Sequence, residues 1–297
     1  MPDGVRRRPA GLTGRHREWL AAAGFLAPAV VAVLVLRLWP TLQAVMVAFE
    51  VGPGSLPSLA NFRFLFADPE FTGSLATTAL YSVLVNPIQI ALALGLAVLL
   101  NQALPAVGLW RTLVLLPVAV PQAVSAVIWG VAMRPDGPLN AAFQALGLGA
   151  QPFLTSPRQA LASIIVIVSW IGVGYWMTFL IAGLKDIPTQ YYEAAAIDGA
   201  GAWQRFRLIT LPLLRRPLTF VLVADTVANF LVFAPVEILT RGGPQGSTNL
   251  VMNEIYNRAF DQGDTAGAAA ATTILVLVVV AVVSIQFRLM LAKDDFS

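Results

Sequence analysis

Six long apolar runs constrain this chain more than any other feature of its sequence. The clearest, ILVLVVVAVV at 274–283, contains no polar residue. A helix that crosses the roughly 30 Å hydrocarbon core of a bilayer needs about twenty mainly apolar residues. Six windows meet this requirement, at about 19–49, 75–100, 109–133, 161–184, 218–239 and 266–291. The sequence therefore predicts an all-α polytopic membrane protein, with one transmembrane domain at 19–292 between short tails at 1–18 and 293–297.

The composition excludes several classes of function. Hydrophobic residues make up 57% of the chain and charged residues only 12%, whereas soluble domains carry about 25% charged residues. There is no cysteine, which excludes disulfides and thiolate metal sites. The single histidine, His16, lies in the basic N-terminal tail, and no pair of acids or activated nucleophile is apparent. A membrane-embedded enzyme is therefore not indicated, and a purely structural scaffold would leave the polar residues inside the spans without a role.

The basic residues are distributed unevenly between the two sides of the predicted bundle. Six spans place both termini on one side, which carries thirteen Lys and Arg residues against five on the other. The thirteen are Arg6, Arg7, Arg8, Arg15, Arg17, Arg111, Lys185, Arg205, Arg207, Arg215, Arg216, Arg288 and Lys293. Because Lys and Arg accumulate on the cytoplasmic side, both termini and the loop at 185–217 are predicted to be cytoplasmic. The net charge of +3 thus reflects topology and does not indicate nucleic acid as a partner.

Several polar side chains lie at mid-depth in the predicted spans. Asp225 and Asn229 are four residues apart in the fifth span and so share a helix face. An acid inside a span normally faces the bundle interior or an aqueous cavity. Asp225 can therefore serve either a structural hydrogen bond or a solute. Asn86 and Gln89 flank Pro87 in the second span, and they too are either structural partners of the proline break or part of a polar pathway.

The loop at 185–217 is the longest polar-containing segment between two spans. Its sequence predicts a helix that Asp186 or Thr189 caps and that Gly199 ends as a left-handed residue. A second helix, AWQRFRLIT, is predicted to follow and to end near Pro212. Two short helices on the cytoplasmic face either dock a partner or lie on the lipid surface, and the physical pattern alone favours the partner only modestly.

A motif in this loop identifies the family that the chain resembles. EAAAIDGAGAWQRFRLITLP resembles the EAA loop of permease subunits in binding-protein-dependent ABC importers, with Glu193, Ala194, Ala195, Gly199, Ile209, Leu211 and Pro212 in the expected spacing. The resemblance extends over nearly the whole chain, and it is strongest for the carbohydrate class related to the maltose-transporter permease. RPDGPLN, IAGLKDIP and RGGPQGST are further features of that class.

The resemblance implies a fold, a set of partners and a mechanism. It implies the type I importer permease fold, in which the EAA segment is a coupling helix seated on a cytoplasmic ABC ATPase. The residues implied in this coupling are Glu193, Ala194, Ala195, Asp198, Gly199, Trp203, Arg205, Ile209 and Pro212. The other implied partners are a second permease subunit, which we expect to be a different chain, an extracytoplasmic substrate-binding protein, the lipid bilayer and a small carbohydrate.

The chain itself is expected to be non-catalytic and to need no cofactor. It contains no Walker A glycine loop, so ATP and Mg²⁺ are expected to bind the partner ATPase. The implied location is a prokaryotic inner or plasma membrane, in which the chain makes several passes. By this resemblance the subunit passes a sugar or related polyol across the membrane by alternating access.

We predict which residues line the substrate path and retain one alternative function. The predicted path residues near mid-membrane are Asn229, Asp225, Gln122, Tyr175 and Trp170. Aromatic rings in membrane helices are more often packing residues than sugar-stacking surfaces, so packing is the alternative role of Tyr175 and Trp170. The alternative function is a secondary, ion-coupled transporter that uses Asp225 as its proton or sodium site.

Overall fold

The computed structural model describes residues 12–52 and 56–291, and this part of the chain is helical without a β-strand. The predicted tails lie largely outside it, because residues 1–11 and 293–297 are not among the described residues. Five helices in the described part are long and apolar enough to cross a membrane. A bent helix pair makes a sixth candidate if it counts as one span. The predicted all-α bundle is confirmed on these terms.

The first span is a continuous rod. It consists of α1 (Leu12–Val33), a π-helical turn (Leu34–Leu38) and α2 (Trp39–Ala48). None of its apolar window is buried within the isolated chain. The C-terminal part of the rod, α2, packs against the final helix, α15 (Thr265–Leu291), and Ala48 is fully buried there. An exposed apolar surface of this extent has to be covered by lipid or by another protein chain.

The second and fourth spans form the centre of the bundle. After a short helix, α3 (Ala60–Ala67), the second span α4 (Pro69–Leu100) begins at Asp68, whose carboxylate accepts a hydrogen bond from the Glu70 N–H at 2.9 Å. It continues through Pro87 without a break. The fourth span, α8 (Ala160–Lys185), packs along it, and small Ala93 and Ala97 share a buried cluster with Met177 and Leu180. Small residues allow the two helices to approach closely, which favours their association in lipid.

The third span differs from its prediction as a single window at 109–133. It consists of α5 (Val107–Leu115), a 3₁₀ turn (Leu116–Ala119) and α6 (Gln122–Ala132), and the two halves meet at 99°. The cause is Pro121, which lacks an N–H and forces its predecessor, Val120, into an extended conformation (φ −90°, ψ 128°). Gly174 of α8 packs against this span, because a Cβ there would lie 2.2 Å from the Val114 carbonyl oxygen.

The remaining helices complete the bundle and its connections. The fifth span, predicted at 218–239, is also interrupted, with a break at 231–233. Its two parts are α12 (Arg215–Phe230) and α13 (Ala234–Leu239). Two short helices, α7 (Pro138–Ala145) and α14 (Val251–Tyr256), lie in the loops that follow α6 and α13. The α4, α12 and α15 helices pack side by side, so that polar residues of these three helices meet inside the bundle.

The loop at 185–217 forms short helices in the described structure. They are α9 (Thr189–Ile197), α10 (Ala202–Arg205), a π-helical turn (Phe206–Thr210) and α11 (Leu211–Leu213). The predicted cap by Asp186 or Thr189 is wrong, since Pro188 occupies the N-cap position and no side chain caps the helix. The predicted end near Pro212 is confirmed, because the helix runs through this proline and ends at Leu213. Gly199 does adopt the predicted left-handed conformation, with φ of +75°.

Candidate functional site

A cavity of about 450 Å³ lies beside the bend of the third span. It is bordered by the α5–α6 break, α8, α4 and α12. Its polar and aromatic lining residues are Gln89, Gln122, Tyr175, Trp176, Asp225 and Asn229. Four of the five predicted path residues, Asn229, Asp225, Gln122 and Tyr175, therefore border one cavity, although they come from three different spans. Cavities of this size hold small ligands in many proteins.

Asn229 lies in the cavity wall, where its amide is already hydrogen-bonded. Its Nδ2 donates to Asn86 Oδ1 at 2.8 Å and to Gln89 Oε1 at 3.0 Å, and its Oδ1 accepts from the Tyr81 hydroxyl at 3.3 Å. Both amide protons are thus used, and the side chain is buried. Asn229 positions Gln89 and holds α12 against α4, so its free hydrogen-bonding capacity for a solute is limited to one oxygen lone pair.

The network around Asn229 extends through the bundle to the last span. Asn86 donates to Ser82 and Thr226 at 3.0 Å each, and the Gln286 amide of α15 donates to the same Thr226 hydroxyl at 2.9 Å. Asn86 and Gln89 are therefore structural partners of α12 side chains, although Gln89 also borders the cavity. The spacing Ser82–Asn86–Gln89 follows one helix face, and this was the available sequence signal for the network.

Asp225 has hydrogen-bonding capacity that the protein does not use. Its side chain is 1% exposed, and its Oδ2 has no hydrogen-bond partner within residues 12–52 and 56–291. The side chains of Trp176 and Asn229 lie next to the carboxyl group. A buried carboxyl oxygen without a partner is costly in a bilayer interior, so it requires an explanation in terms of water or a solute.

The aromatic residues of the fourth span divide between two surfaces. Tyr175 borders the cavity and is in edge-to-face contact with Trp176, with ring centroids 4.9 Å apart. Trp170 does not border it: this indole packs edge-to-face on Trp129 at 5.5 Å and lines a separate apolar groove beside Trp110. The structure therefore separates Trp170 from the other four predicted path residues.

The predicted coupling residues form an exposed surface at one end of the bundle. Glu193, Ala194, Asp198, Gly199, Trp203 and Pro212 are exposed, whereas Ala195, Arg205 and Ile209 are half-buried. Trp203 stacks on Phe206 with centroids 5.5 Å apart, and the Tyr192 hydroxyl lies 2.9 Å from the Thr210 hydroxyl. These contacts hold the helices together. Three large apolar side chains remain without cover: Ile197 (86% exposed), Trp203 (70%) and Leu208 (69%).

A buried ionic cluster lies at the opposite end of the second span. Arg258, which is 3% exposed, donates to Asp68, to Glu254 at 2.8 Å and to Asp264 at 3.4 Å. Asp264 also accepts from the Gly267 N–H, so the cluster joins the first turns of α4 and α15. Burial alone would raise the pKa of Asp68, but the Glu70 N–H and the Arg258 guanidinium hold that pKa below its usual range. Burial alone would lower the pKa of Arg258, and its carboxylate partners raise it instead.

These features together define a class of protein. The chain is a helical membrane protein with a polar cavity between its spans and an exposed pair of short helices at one end of the bundle. Among the described residues, no group of three or more His, Cys, Asp or Glu side chains could hold a metal ion. This combination is that of a transport subunit that acts together with a partner.

Comparison with known proteins specifies that class. The family of binding-protein-dependent transport system inner membrane components matches residues 89–293. The chain belongs to this family, and it is a non-catalytic membrane component of an ABC importer. The alternative of an ion-coupled transporter finds no support in the family or in the relatives.

Curated relatives resemble nearly the full chain. The lactose transport system permease protein LacF of Rhizobium radiobacter is 33% identical over 244 residues, which cover 80% of this chain and 82% of the relative. The sn-glycerol-3-phosphate transport system permease protein UgpA of Agrobacterium fabrum is 32% identical over 273 residues, or 89% and 92% of the two chains. Similarity therefore continues through both the cavity and the loop at 185–217.

A solved structure has the same fold. The similarity is to a chain of a bacterial ABC transporter involved in the import of the acidic polysaccharide alginate. The TM-score is 0.80 at 22% identity, over 93% of this chain and 96% of the other. The same transporter in complex with an alginate pentasaccharide-bound periplasmic protein gives a TM-score of 0.84 at 22% identity, over 95% and 97% of the chains. The predicted importer permease fold is thus confirmed.

Proposed function

We propose that this subunit passes a sugar or a related polyol across the membrane through the cavity beside the bend of the third span. The observation that carries the proposal is the cavity itself, in which the carboxyl of Asp225 and the amides of Gln89 and Gln122 border about 450 Å³ inside an apolar bundle. Side chains of this kind hydrogen-bond hydroxyl groups. The name of the relative LacF, which refers to lactose, supports a sugar, and that of UgpA, which refers to sn-glycerol 3-phosphate, supports a polyol derivative.

The exposed loop at 185–217 is proposed to couple transport to ATP hydrolysis. Ile197, Trp203 and Leu208 present apolar surface of the kind that a protein partner buries. In this proposal the partner is a cytoplasmic ABC ATPase, which binds ATP and Mg²⁺, while the present subunit needs no cofactor. Closure of the ATPase pair moves the two coupling helices together and switches the cavity between the two sides of the membrane.

The orientation and the remaining partners complete the proposal. The excess of basic residues on the side of the termini supports a cytoplasmic location for both termini and for the loop at 185–217. The exposed rod of α1 and α2 is covered by lipid and by a second permease subunit, which is a different chain. A substrate-binding protein on the extracytoplasmic side delivers the solute to the pair.

The proposal is tested by isolating the chain from its native membrane in a mild detergent. We expect an ATPase subunit and a second permease subunit to co-purify, and we expect the complex in proteoliposomes to import a sugar or polyol only when ATP and the binding protein are present. Isolation of the chain without an ATPase, or uptake driven by an ion gradient in the absence of ATP, would contradict the proposed function.

A further inference from the structure

We propose that Asp225 makes the cavity selective for uncharged, hydroxyl-bearing solutes over phosphorylated or carboxylated ones. This inference rests on the proposed function, because it specifies which chemical class the cavity admits. Asp225 is the only Asp, Glu, Lys or Arg residue in the described cavity lining.

The first argument concerns which polar atoms remain free. Both amide protons of Asn229 are used within the bundle, in hydrogen bonds to Asn86 and Gln89. The Oδ2 of Asp225, by contrast, has no partner in the described part of the chain, although its side chain is 1% exposed. Because an unpaired buried acceptor is unfavourable, binding of a donor at this atom stabilises the site. Asp225 therefore contacts the solute, and Asn229 is a positioning residue.

The second argument concerns charge. None of the described residues that border the cavity is basic: besides Asp225, the polar lining consists of Gln89, Gln122, Asn229, Tyr175 and Trp176. A phosphate or carboxylate in this cavity would meet an acid without a balancing guanidinium or ammonium group. Coulomb repulsion is poorly screened in a low-dielectric interior. Hydroxyl groups, in contrast, donate to the carboxyl and carry no charge, so neutral polyols are favoured.

The third argument concerns the rest of the lining. The Oε1 of Gln89 accepts from Asn229, and the side chain, whose Nε2 is a donor group, borders the cavity. Tyr175 and Trp176 add ring surface beside these polar groups. A donor, a carboxyl acceptor and an aromatic surface together match a carbohydrate, which has both hydroxyl groups and apolar C–H faces. A small organic cation would pair with the Asp225 carboxyl but lacks the several hydroxyl groups that the Gln89 and Gln122 amides can hydrogen-bond.

The test measures the binding of matched probes to the purified complex, without the binding protein, by saturation-transfer NMR. The neutral probes are glucose, galactose and glycerol. Their anionic counterparts are glucose 6-phosphate, galactose 1-phosphate and glycerol 3-phosphate, and choline represents cations. We expect at least one neutral probe to bind about tenfold more tightly than its phosphorylated counterpart and than choline, because unscreened repulsion and unpaired donors each cost affinity.

Two substitutions that each replace a carboxyl group with an amide, one inside the cavity lining and one outside it, test whether Asp225 causes this selectivity. Asp225→Asn removes the charge inside the cavity, and we expect it to reduce the neutral-to-phosphorylated affinity ratio about tenfold. Glu237→Gln removes a carboxylate on α13, outside the cavity lining, and we expect it to leave this ratio unchanged. Equal recovery of the partner subunits with both variants shows that the complex still assembles.

Tighter binding of a phosphorylated probe or of choline would overturn the proposal. The proposal would also be overturned if Asp225→Asn and Glu237→Gln gave the same neutral-to-phosphorylated affinity ratio. It would be overturned as well if the Asp225→Asn substitution changed the binding of none of the neutral probes. The proposed function is tested by different measurements, namely co-purification of the ATPase and ATP-dependent uptake. A complex that imports an anionic solute with ATP would retain the function and disprove the role of Asp225.

Discussion

The turn at Gly199 allows a sharp test of the coupling role. Gly199 has φ of +75°, and a Cβ built on it would meet no atom within 4 Å. The cost of Gly199→Val is therefore backbone strain alone, about 1–3 kcal/mol for a β-branched residue in this conformation. This is less than the roughly 5–15 kcal/mol that stabilises a typical domain. We expect the spans to remain folded while the turn between α9 and α10 changes its geometry.

The strain is large enough to change the population of the turn. About 2 kcal/mol lowers the ratio of the native arrangement of α9 and α10 to its alternatives by a factor of roughly thirty. We expect ATP-driven uptake in proteoliposomes to fall at least about tenfold, and ATP hydrolysis to become insensitive to the loaded binding protein. Gly199→Asn should retain more activity, because asparagine tolerates the left-handed conformation.

A second glycine provides a matched control for this experiment. Gly147, which follows α7, has φ of +76° and also has no atom within 4 Å of a built Cβ. Gly147→Val therefore introduces the same strain away from the loop at 185–217, and uptake should be close to that of the unchanged protein. Normal uptake by Gly199→Val, or an equal loss in both variants, would refute the coupling role of this turn.

Three further predictions follow from other contacts. The pKa of Asp68 is lowered in the folded state, so its contribution to stability is present above its usual pKa and is lost as the pH falls through the folded value. In thermal unfolding in detergent, Asp68→Asn should therefore lose less stability on acidification than the unchanged protein. The same variant should be less stable at pH 7, because the buried Arg258 loses a partner. A Cβ at Gly174 would lie 2.2 Å from the Val114 carbonyl oxygen, so Gly174→Val should cost more than about 3 kcal/mol and abolish recovery of folded protein, which size-exclusion chromatography would reveal. Asn229→Ala removes three hydrogen bonds inside the bundle and should lower the thermal midpoint as well as transport, whereas an effect on transport alone would contradict its positioning role.

The sequence predicted the helices better than their interruptions. Apolar runs of twenty or more residues have few folded alternatives in a membrane, so the spans were predictable from composition and length alone. Pro87 and Pro121 show why the breaks were not. Both prolines lie inside apolar runs, yet the helix continues through Pro87 and bends by 99° at Pro121. Which outcome occurs depends on the neighbouring helices that satisfy the freed backbone groups, and a single chain sequence does not specify these neighbours.

The candidate site was also predictable only in part, because the roles of its residues depend on neighbouring helices. Asp225 and Asn229 share a helix face, and their cost in a membrane indicated an interior location, which the structure has. Their separate roles depend on residues of α4, since only the positions of Tyr81, Asn86 and Gln89 show that the Asn229 amide protons are already used. Trp170 could not be placed, because aromatic rings in membrane helices serve as packing and interface residues as well as solute contacts, and the sequence does not distinguish these roles.

The bend of the third span also bears on how the membrane keeps its electrical resistance. The first N–H groups of α6 have no partner within their own helix, and they lie at mid-span beside the cavity. Such groups are tolerated at this depth only where protein, water or a polar solute reaches them, and the cavity offers that access. The barrier to protons and ions consequently resides in the apolar layers above and below the bend, and sealing these layers is a task for the assembled permease pair.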